Sequence, residues 1–238
     1  MERIQKLIAN AGYGSRRWAE RLIEQERITI NGKQAILGDK CTMEDSITID
    51  GRQINLLRYL EDEVKVIMMN KQAGYICSKK DDKGRKSVFS LLPKHSRWVM
   101  VGRLDLNTSG LLLFTNNGDL AHKLMHPSTG IEREYSVRVF GEVLPEHLTQ
   151  LTTGVTLEDG FAKFKKITFA GGEGTNSWYK VILTEGRNRE VRRLWEYLGF
   201  KVSRLIRTNF AGLSLPSNLR ANQLLELKTS QIKTLESL

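Results

Sequence analysis

The chain has 238 residues, and 37 lysines and arginines against 27 aspartates and glutamates give it a formal charge of +10 and a pI near 9.6. That length allows one or two domains with a sizeable core, so folding requires neither metal nor disulfide, and the charge excess points to a polyanionic partner, nucleic acid first. Cys41 and Cys77 have no metal-binding or redox spacing, and neither an apolar leader nor an 18-residue apolar run occurs, so a soluble cytoplasmic protein without a membrane span is expected.

Ile4, Leu7, Ile8 and Ala11 recur at helical spacing, Gly12 and Gly14 stop that helix, and Ser15 can cap a second one carrying Trp18, Leu22 and Ile23. Residues 27–30 alternate as a strand, Asn31-Gly32 is a hairpin signal, and 47–49 read as another strand before Asp50-Gly51. Residues 1–58 thus make a small domain whose core is marginal by itself. Its second helix carries Arg16, Arg17 and Arg21, a candidate phosphate-contacting edge that ordinary surface charge would explain equally well.

Residues 55–63 show neither alternation nor turn residues and are read as a linker to a second domain, 64–238. Strands are expected there at 64–69, 98–101, 111–114, 134–140, 178–183, 201–210 and 224–227. Helices are expected near 119–125, 145–151, 188–198 and 231–238, the third capped by Asn188. Elements interspersed without βαβ regularity predict an α+β fold with a mixed, mainly antiparallel sheet. Gly171-Gly-Glu-Gly174 reads as a hairpin loop, since the lysine and hydroxyl residue of a phosphate-binding loop do not follow it.

Three stretches can carry chemistry. In the first, Gly102-Arg-Leu-Asp105, one carboxylate lies between two apolar runs that read as buried strands, with Arg103 just before it and Thr108, Ser109 and Gly110 after it. The pattern by itself also allows Asp105 to be a turn cap. In the second, 132–140, alternation places Tyr135 with Val137 and Val139 on one face, which suits a core tyrosine as well as a functional one. The third, 184–195, lies in a run, 186–207, holding seven basic residues against Glu190 and Glu196. On its helix Val191, Leu194, Trp195 and Leu198 share a face and Arg192 flanks them, making Arg192 the candidate for a half-buried ion pair. Arg189 and Arg193 are better turned toward phosphates, and Arg187 belongs to the same basic edge.

The N-terminal residues Gln5-Lys-Leu-Ile8, Ala11-Gly-Tyr-Gly-Ser-Arg-Arg17 and Asn31-Gly-Lys33 resemble the S4-type RNA-binding module. Gly102–Leu112, Arg133-Glu-Tyr135 and Glu185–Arg193 together resemble the pseudouridine synthases that act on ribosomal RNA, in the branch with an N-terminal S4 module. His126-Pro-Ser, 171–178 and 185–195 are most similar to the B-type branch that acts on the large subunit. Asn70-Lys-Gln-Ala-Gly74 stands where the family usually has Asn-Lys-Pro-x-Gly, Asn117 where Asp is common, and Ala211 where glycine is usual.

The resemblance implies isomerisation of one uridine in a 23S stem-loop by a monomeric enzyme without metal or cofactor. It implies Asp105 as the reacting carboxylate, Arg192 as its ion-pair partner and Tyr135 as the residue stacked on the base. It further suggests that Arg103 fills the space left by a flipped nucleotide. A small-subunit synthase of the same family and a non-catalytic S4 assembly factor are the alternatives. An assembly factor needs positive charge but no Asp105–Arg192 pair. His122 and His126 lie four apart, but no third ligand accompanies them.

Overall fold

The structure is a computed structural model describing residues 1–57, 63–79, 81–94, 97–173 and 175–238; residues 58–62 of the expected linker and Gly174 lie outside these. Two compact units divide the chain, Met1–Val64 and Lys65–Leu238.

In the first unit, α1 (Ile4–Asn10) and α2 (Arg16–Glu24) pack Ile4, Leu7, Ile8, Leu22 and Ile23 into one core with Ile28 and Ile47. The Ser15 hydroxyl caps α2 by accepting the Trp18 N–H at 3.1 Å, satisfying one of the amides a helix start leaves open. Ile28–Ile30 pairs with Lys33–Gln34 through Asn31 (φ 50°) and Gly32 (φ 78°), the left-handed pair that a two-residue hairpin turn requires. Arg16, Arg17 and Arg21 all stand exposed.

The second unit is built on a nine-stranded sheet. Its main strands are β1 (Val66–Lys71), β2 (Val99–Val101), β3 (Ser109–Thr115), β4 (Arg133–Phe140), β5 (Lys166–Glu173), β6 (Asn176–Leu183), β7 (Lys201–Phe210) and β8 (Leu224–Glu226). The order is β5-β6-β4-β7-β3-β1-β8, antiparallel throughout except for the parallel step from β7 to β3. The helices are α3 (Gly118–Met125), α4 (Pro145–Thr153), α5 (Glu190–Tyr197) and α6 (Thr229–Ser237).

Every residue of β3 from Gly110 to Thr115 is buried, so this strand is the spine of the unit. Along one edge it changes partner: Leu113–Thr115 pair with β2, whereas Ser109 and Gly110 pair with Ile206 and Arg207 of β7. The segment joining β2 to β3 therefore leaves the sheet at a fork, and Asp105 lies on that segment. Gly110 makes the fork possible, because a Cβ there would stand 2.3 Å from the Arg207 carbonyl oxygen.

Two expectations fail locally. Gly171 and Gly172 belong to β5 rather than to a loop: a bulge between Phe169 and Gly172 resets the register, and the strand continues to Glu173 opposite Asn176. Glycine pairs read as turns from sequence, but at a bulge they let the backbones approach, and a Cβ on Gly172 would meet the Asn176 carbonyl oxygen at 2.5 Å. Asn188 does not cap α5. The cap position falls on Arg189, in a left-handed conformation (φ 49°), and Glu190 reaches back to accept the Arg187 N–H at 3.1 Å. A carboxylate in the first turn answers both the open amide and the helix dipole.

Candidate active site

A cleft of about 800 Å³ opens at the fork, lined among others by Arg103, Asp105, Tyr135, Arg187, Arg189 and Arg207. Its volume is within the range of small-ligand sites, roughly 300–1,000 Å³. Gly102 turns the chain out of β2 with φ 73°, a conformation costly for any residue with a Cβ. The Thr108 N–H closes the next turn on the backbone carbonyl of Asp105 at 3.1 Å, so that bond uses the main chain rather than the carboxylate. Asp105 itself is half-buried, and Arg103 is exposed at the mouth.

Beneath the loop lies Lys71, fully buried at the end of β1. Its ammonium donates to the carbonyls of Thr108 (2.7 Å), Asp105 (3.0 Å) and Leu106 (3.4 Å), and to Gln72 at 3.3 Å. An ammonium has three protons, so the four acceptors share them, and the loop is tied to the sheet by its main chain. Burial lowers the Lys71 pKa, while its electrostatic interactions with Cys77 and Asp105 oppose that shift. Cys77 Sγ accepts the Leu104 N–H at 3.4 Å, a second tie on the same loop.

Arg192 holds the loop from the other side. It is 7% exposed, with Nη1 on the Val202 carbonyl at 2.9 Å and Nη2 on the Asn107 carbonyl at 3.0 Å. No Arg192 nitrogen comes within 4.0 Å of the Asp105 carboxylate, so the expected direct ion pair is not closed. The guanidinium fork is occupied by two main-chain carbonyls that helix periodicity could not reveal. Asp105 nonetheless favours the charged form of Arg192, against the larger effect of burial, which lowers its pKa.

Tyr135 faces the cleft from β4 at 9% exposure, opposite Arg207 on β7 and Val181 on β6. Two further buried cations flank it. Arg133 lies two residues away on the same face and bonds the carbonyls of Ile131 (2.6 Å) and Thr184 (3.0 Å). Arg207, 2% exposed, donates from Nε to the Leu111 carbonyl at 2.8 Å, while its Nη2 has no hydrogen-bond partner. Both guanidiniums rest against Phe210, at 5.3 and 5.0 Å from the ring centre, a favourable contact for a cation. Burial lowers the Arg133 pKa and raises that of Glu190.

The sequence and the structure agree about the family. The RNA pseudouridylate synthase model matches residues 65–197, and the S4 domain model matches residues 2–47. The chain belongs to the RNA pseudouridylate synthase family. The protein named Ribosomal large subunit pseudouridine synthase B in Yersinia pestis is 51% identical over 222 residues, covering 92% of this chain and 70% of that one. The protein of the same name in Escherichia coli strain K12 is 50% identical over 241 residues, covering 100% and 83%. A crystal structure of a pseudouridylate synthase superposes with a TM-score of 0.69 at 25% identity, covering 99% of this chain and 100% of that chain.

In this pseudouridine synthase the expected site residues are placed unequally. Asp105, Tyr135 and Arg103 line one cleft, and Arg192 reaches its loop. Arg187 and Arg193, expected to meet phosphates, are turned onto Asp159. Arg193 binds it with two bonds of 2.8 Å, and Arg187 reaches it at 3.5 Å while also pairing with Glu185 at 2.7 Å. Arg189 pairs with Glu196 at 3.2 Å, both well exposed. Asp159 lies in a turn 34 residues before Arg193, beyond the reach of a local charge count, whereas Glu196 stands about two helical turns after Arg189 on the same face.

Lys71, Arg133, Arg207 and Glu190 were not singled out from the sequence. Spacing held part of the signal, since Arg133 shares the parity of Tyr135, and Arg207 that of Leu205, on strands with one buried face. The basic run 186–207 does not form one surface. Its helical part borders the cleft, Arg207 is buried beneath it, and Lys201 and Arg204 emerge on the opposite face of the sheet.

Proposed function

We propose that this synthase isomerises a uridine of large-subunit ribosomal RNA to pseudouridine, acting as a monomer in the cytoplasm on a 23S stem-loop. The observation that carries the target is identity near 50% along the whole chain with proteins named for the large subunit. The observation that carries the chemistry is the half-buried carboxylate of Asp105 at the fork, held by main-chain ties from Lys71 and Arg192.

The reaction breaks the C1′–N1 bond, turns the uracil and joins C1′ to C5; the C5 proton leaves and N1 finishes as N–H. Atoms and electrons balance within the nucleotide, so one ionised carboxylate is sufficient. Asp105 either attacks C1′ or removes the C2′ proton. Tyr135 stacks on the base, whose edge then meets the buried cations Arg133 and Arg207. A paired uridine must leave its helix to enter, at a cost of a few kcal/mol, and Arg103 at the mouth is positioned to fill the gap. Arg192 orients the loop through the Asn107 carbonyl. Arg16, Arg17 and Arg21 of the S4 unit provide phosphate contacts, joined by Arg187, Arg189 and Arg193 where RNA draws them away from Asp159, Glu185 and Glu196.

The test is carbodiimide mapping of pseudouridine in ribosomal RNA from cells lacking the gene, complemented by wild type or Asp105→Asn. Wild type should restore one large-subunit site and Asp105→Asn should not. Restoration by the Asn variant, or a restored site in the small subunit, would overturn the corresponding half of the reading.

A further inference from the structure

The inner face of β4, β6 and β7 carries the core: Tyr135, Val137, Val139, Tyr179, Val181, Leu183, Val202 and Leu205 are all buried. Alternation sends the intervening residues to the outer face. There Phe140, Lys166, Thr168, Lys180, Lys201 and Arg204 are exposed, and Arg138, Trp178, Ile182 and Ile206 are half-buried. Among the described residues of these strands, no helix shields that face enough to bury a side chain of the outer set.

Its composition is unlike an ordinary solvated face. Register places Arg138 opposite both Trp178 and Arg204, Phe140 opposite Lys201, and Lys180 opposite Thr168. Five cations, Lys166, Lys180, Arg138, Lys201 and Arg204, thus surround two aromatic rings. The acids of the four strands β4–β7 are Glu134 and Glu173; Glu134 is bonded to the Thr208 hydroxyl at 2.8 Å, and Glu173 ends the edge strand. Two arginines directly opposite each other are unfavourable in a sheet. Arg138 turns aside to the Ser203 hydroxyl (2.9 Å) and lies 5.9 Å from the centre of the Trp178 ring, which keeps that ring standing on the surface.

We propose that this outer sheet face is a second RNA-binding surface, separate from the cleft, that takes unpaired nucleotides by stacking bases on Trp178 and Phe140. Lys166, Lys180, Lys201, Arg138 and Arg204 meet the phosphates. An open sheet with aromatic rings among cations is a known physical solution for single-stranded RNA, because every base offers a π-face and every linkage a negative charge. The occupant is RNA rather than an acidic protein because rings are interleaved with the charge at strand spacing, and the family's substrate is RNA. The inference does not depend on which ribosomal subunit is modified.

The test uses the full chain and a fluorescein-labelled, uridine-free 12-nucleotide oligocytidylate, which cannot be a substrate. Fluorescence anisotropy is compared for wild type, Phe140→Ser/Trp178→Ser and Lys166→Glu/Lys180→Glu. Each double variant should bind about tenfold more weakly, and the lysine pair should also flatten the salt dependence by about two units of slope. Modification of a minimal hairpin containing the target uridine should change less than about twofold, since no outer-face residue lines the cleft. Unchanged oligocytidylate affinity in both variants overturns the proposal. So does an equal loss of hairpin modification, which would make the face part of the fold or the cleft. Sedimentation velocity is the third readout, and a wild-type dimer that either variant dissolves would assign the face to a second copy of this chain instead. Loss of Asp105-dependent modification leaves these binding readouts intact, so failure of the proposed chemistry and of this surface are distinguishable.

Discussion

The Lys71 ammonium donates to the Thr108 carbonyl at 2.7 Å from a fully buried position, and the same group reaches the carbonyls of Asp105 and Leu106. The loop bearing Asp105 is therefore fixed through its main chain, leaving the carboxylate to face the cleft. Lys71→Met keeps most of the volume and removes every donor. The catalytic unit should lose about 3 kcal/mol in urea denaturation, because several carbonyls are left unpaired, and single-turnover rate should fall about tenfold or more. RNA affinity measured by filter binding should hardly move. An unchanged rate would mean that the loop needs no clamp.

Asp159 accepts two bonds from the Arg193 guanidinium and stands 3.5 Å from that of Arg187. Asp159 is exposed, so Asp159→Asn should hardly change stability. Freed from it, Arg193 becomes available to phosphates, while Arg187 stays held by Glu185 and the Phe161 carbonyl. Affinity for a ribosomal RNA fragment should rise, and its dependence on salt should steepen by about one unit of slope. A weaker complex would show instead that Asp159 holds the two arginines in their RNA-binding pose.

Glu190 is 4% exposed, and burial raises its pKa against the opposing bond from the Arg187 N–H. A raised carboxyl favours the protonated form in the folded state. That stabilisation is complete below the ordinary carboxylate range and is lost as pH rises through the raised folded value. Glu190→Gln stays neutral, so its stability relative to wild type should increase between about pH 4 and about pH 7. Urea midpoints of both proteins at the two pH values give the comparison, and a difference independent of pH would rule out burial as the dominant influence.

Gly110 combines φ 104° with contact against the Arg207 backbone at 2.3 Å. Neither a rotamer change nor a small side-chain shift relieves backbone against backbone. Gly110→Ala should cost about 3 kcal/mol or more and abolish activity, because the β3–β7 pairing is what holds the fork beside Asp105. Near-wild-type denaturation would place the fork's stability elsewhere.

The sequence by itself determined what depends on local order. Turn residues at Asn31-Gly32 and Asp50-Gly51, the Ser15 cap and the alternation of 133–140 specify their elements because backbone preference and periodicity act over a few residues. Three separated motifs determined the family, and with it which carboxylate to examine. The β5 strand was hidden because its glycine pair serves a bulge, a need created by the strand beside it.

Only the tertiary structure decided how the site's charges are partnered. Arg192 flanks the apolar face of α5, as periodicity indicates, yet its hydrogen bonds run to Asn107 and Val202, which are 85 and 10 residues away. Lys71 meets carbonyls more than 30 residues distant, and Arg187 and Arg193 meet an acid on another turn. The basic run 186–207 is divided between the cleft, the core and the outer sheet face because β7 alternates its side chains across the sheet. Charge partners are chosen by the packing of distant strands, and the period of one segment determines only which way a side chain points.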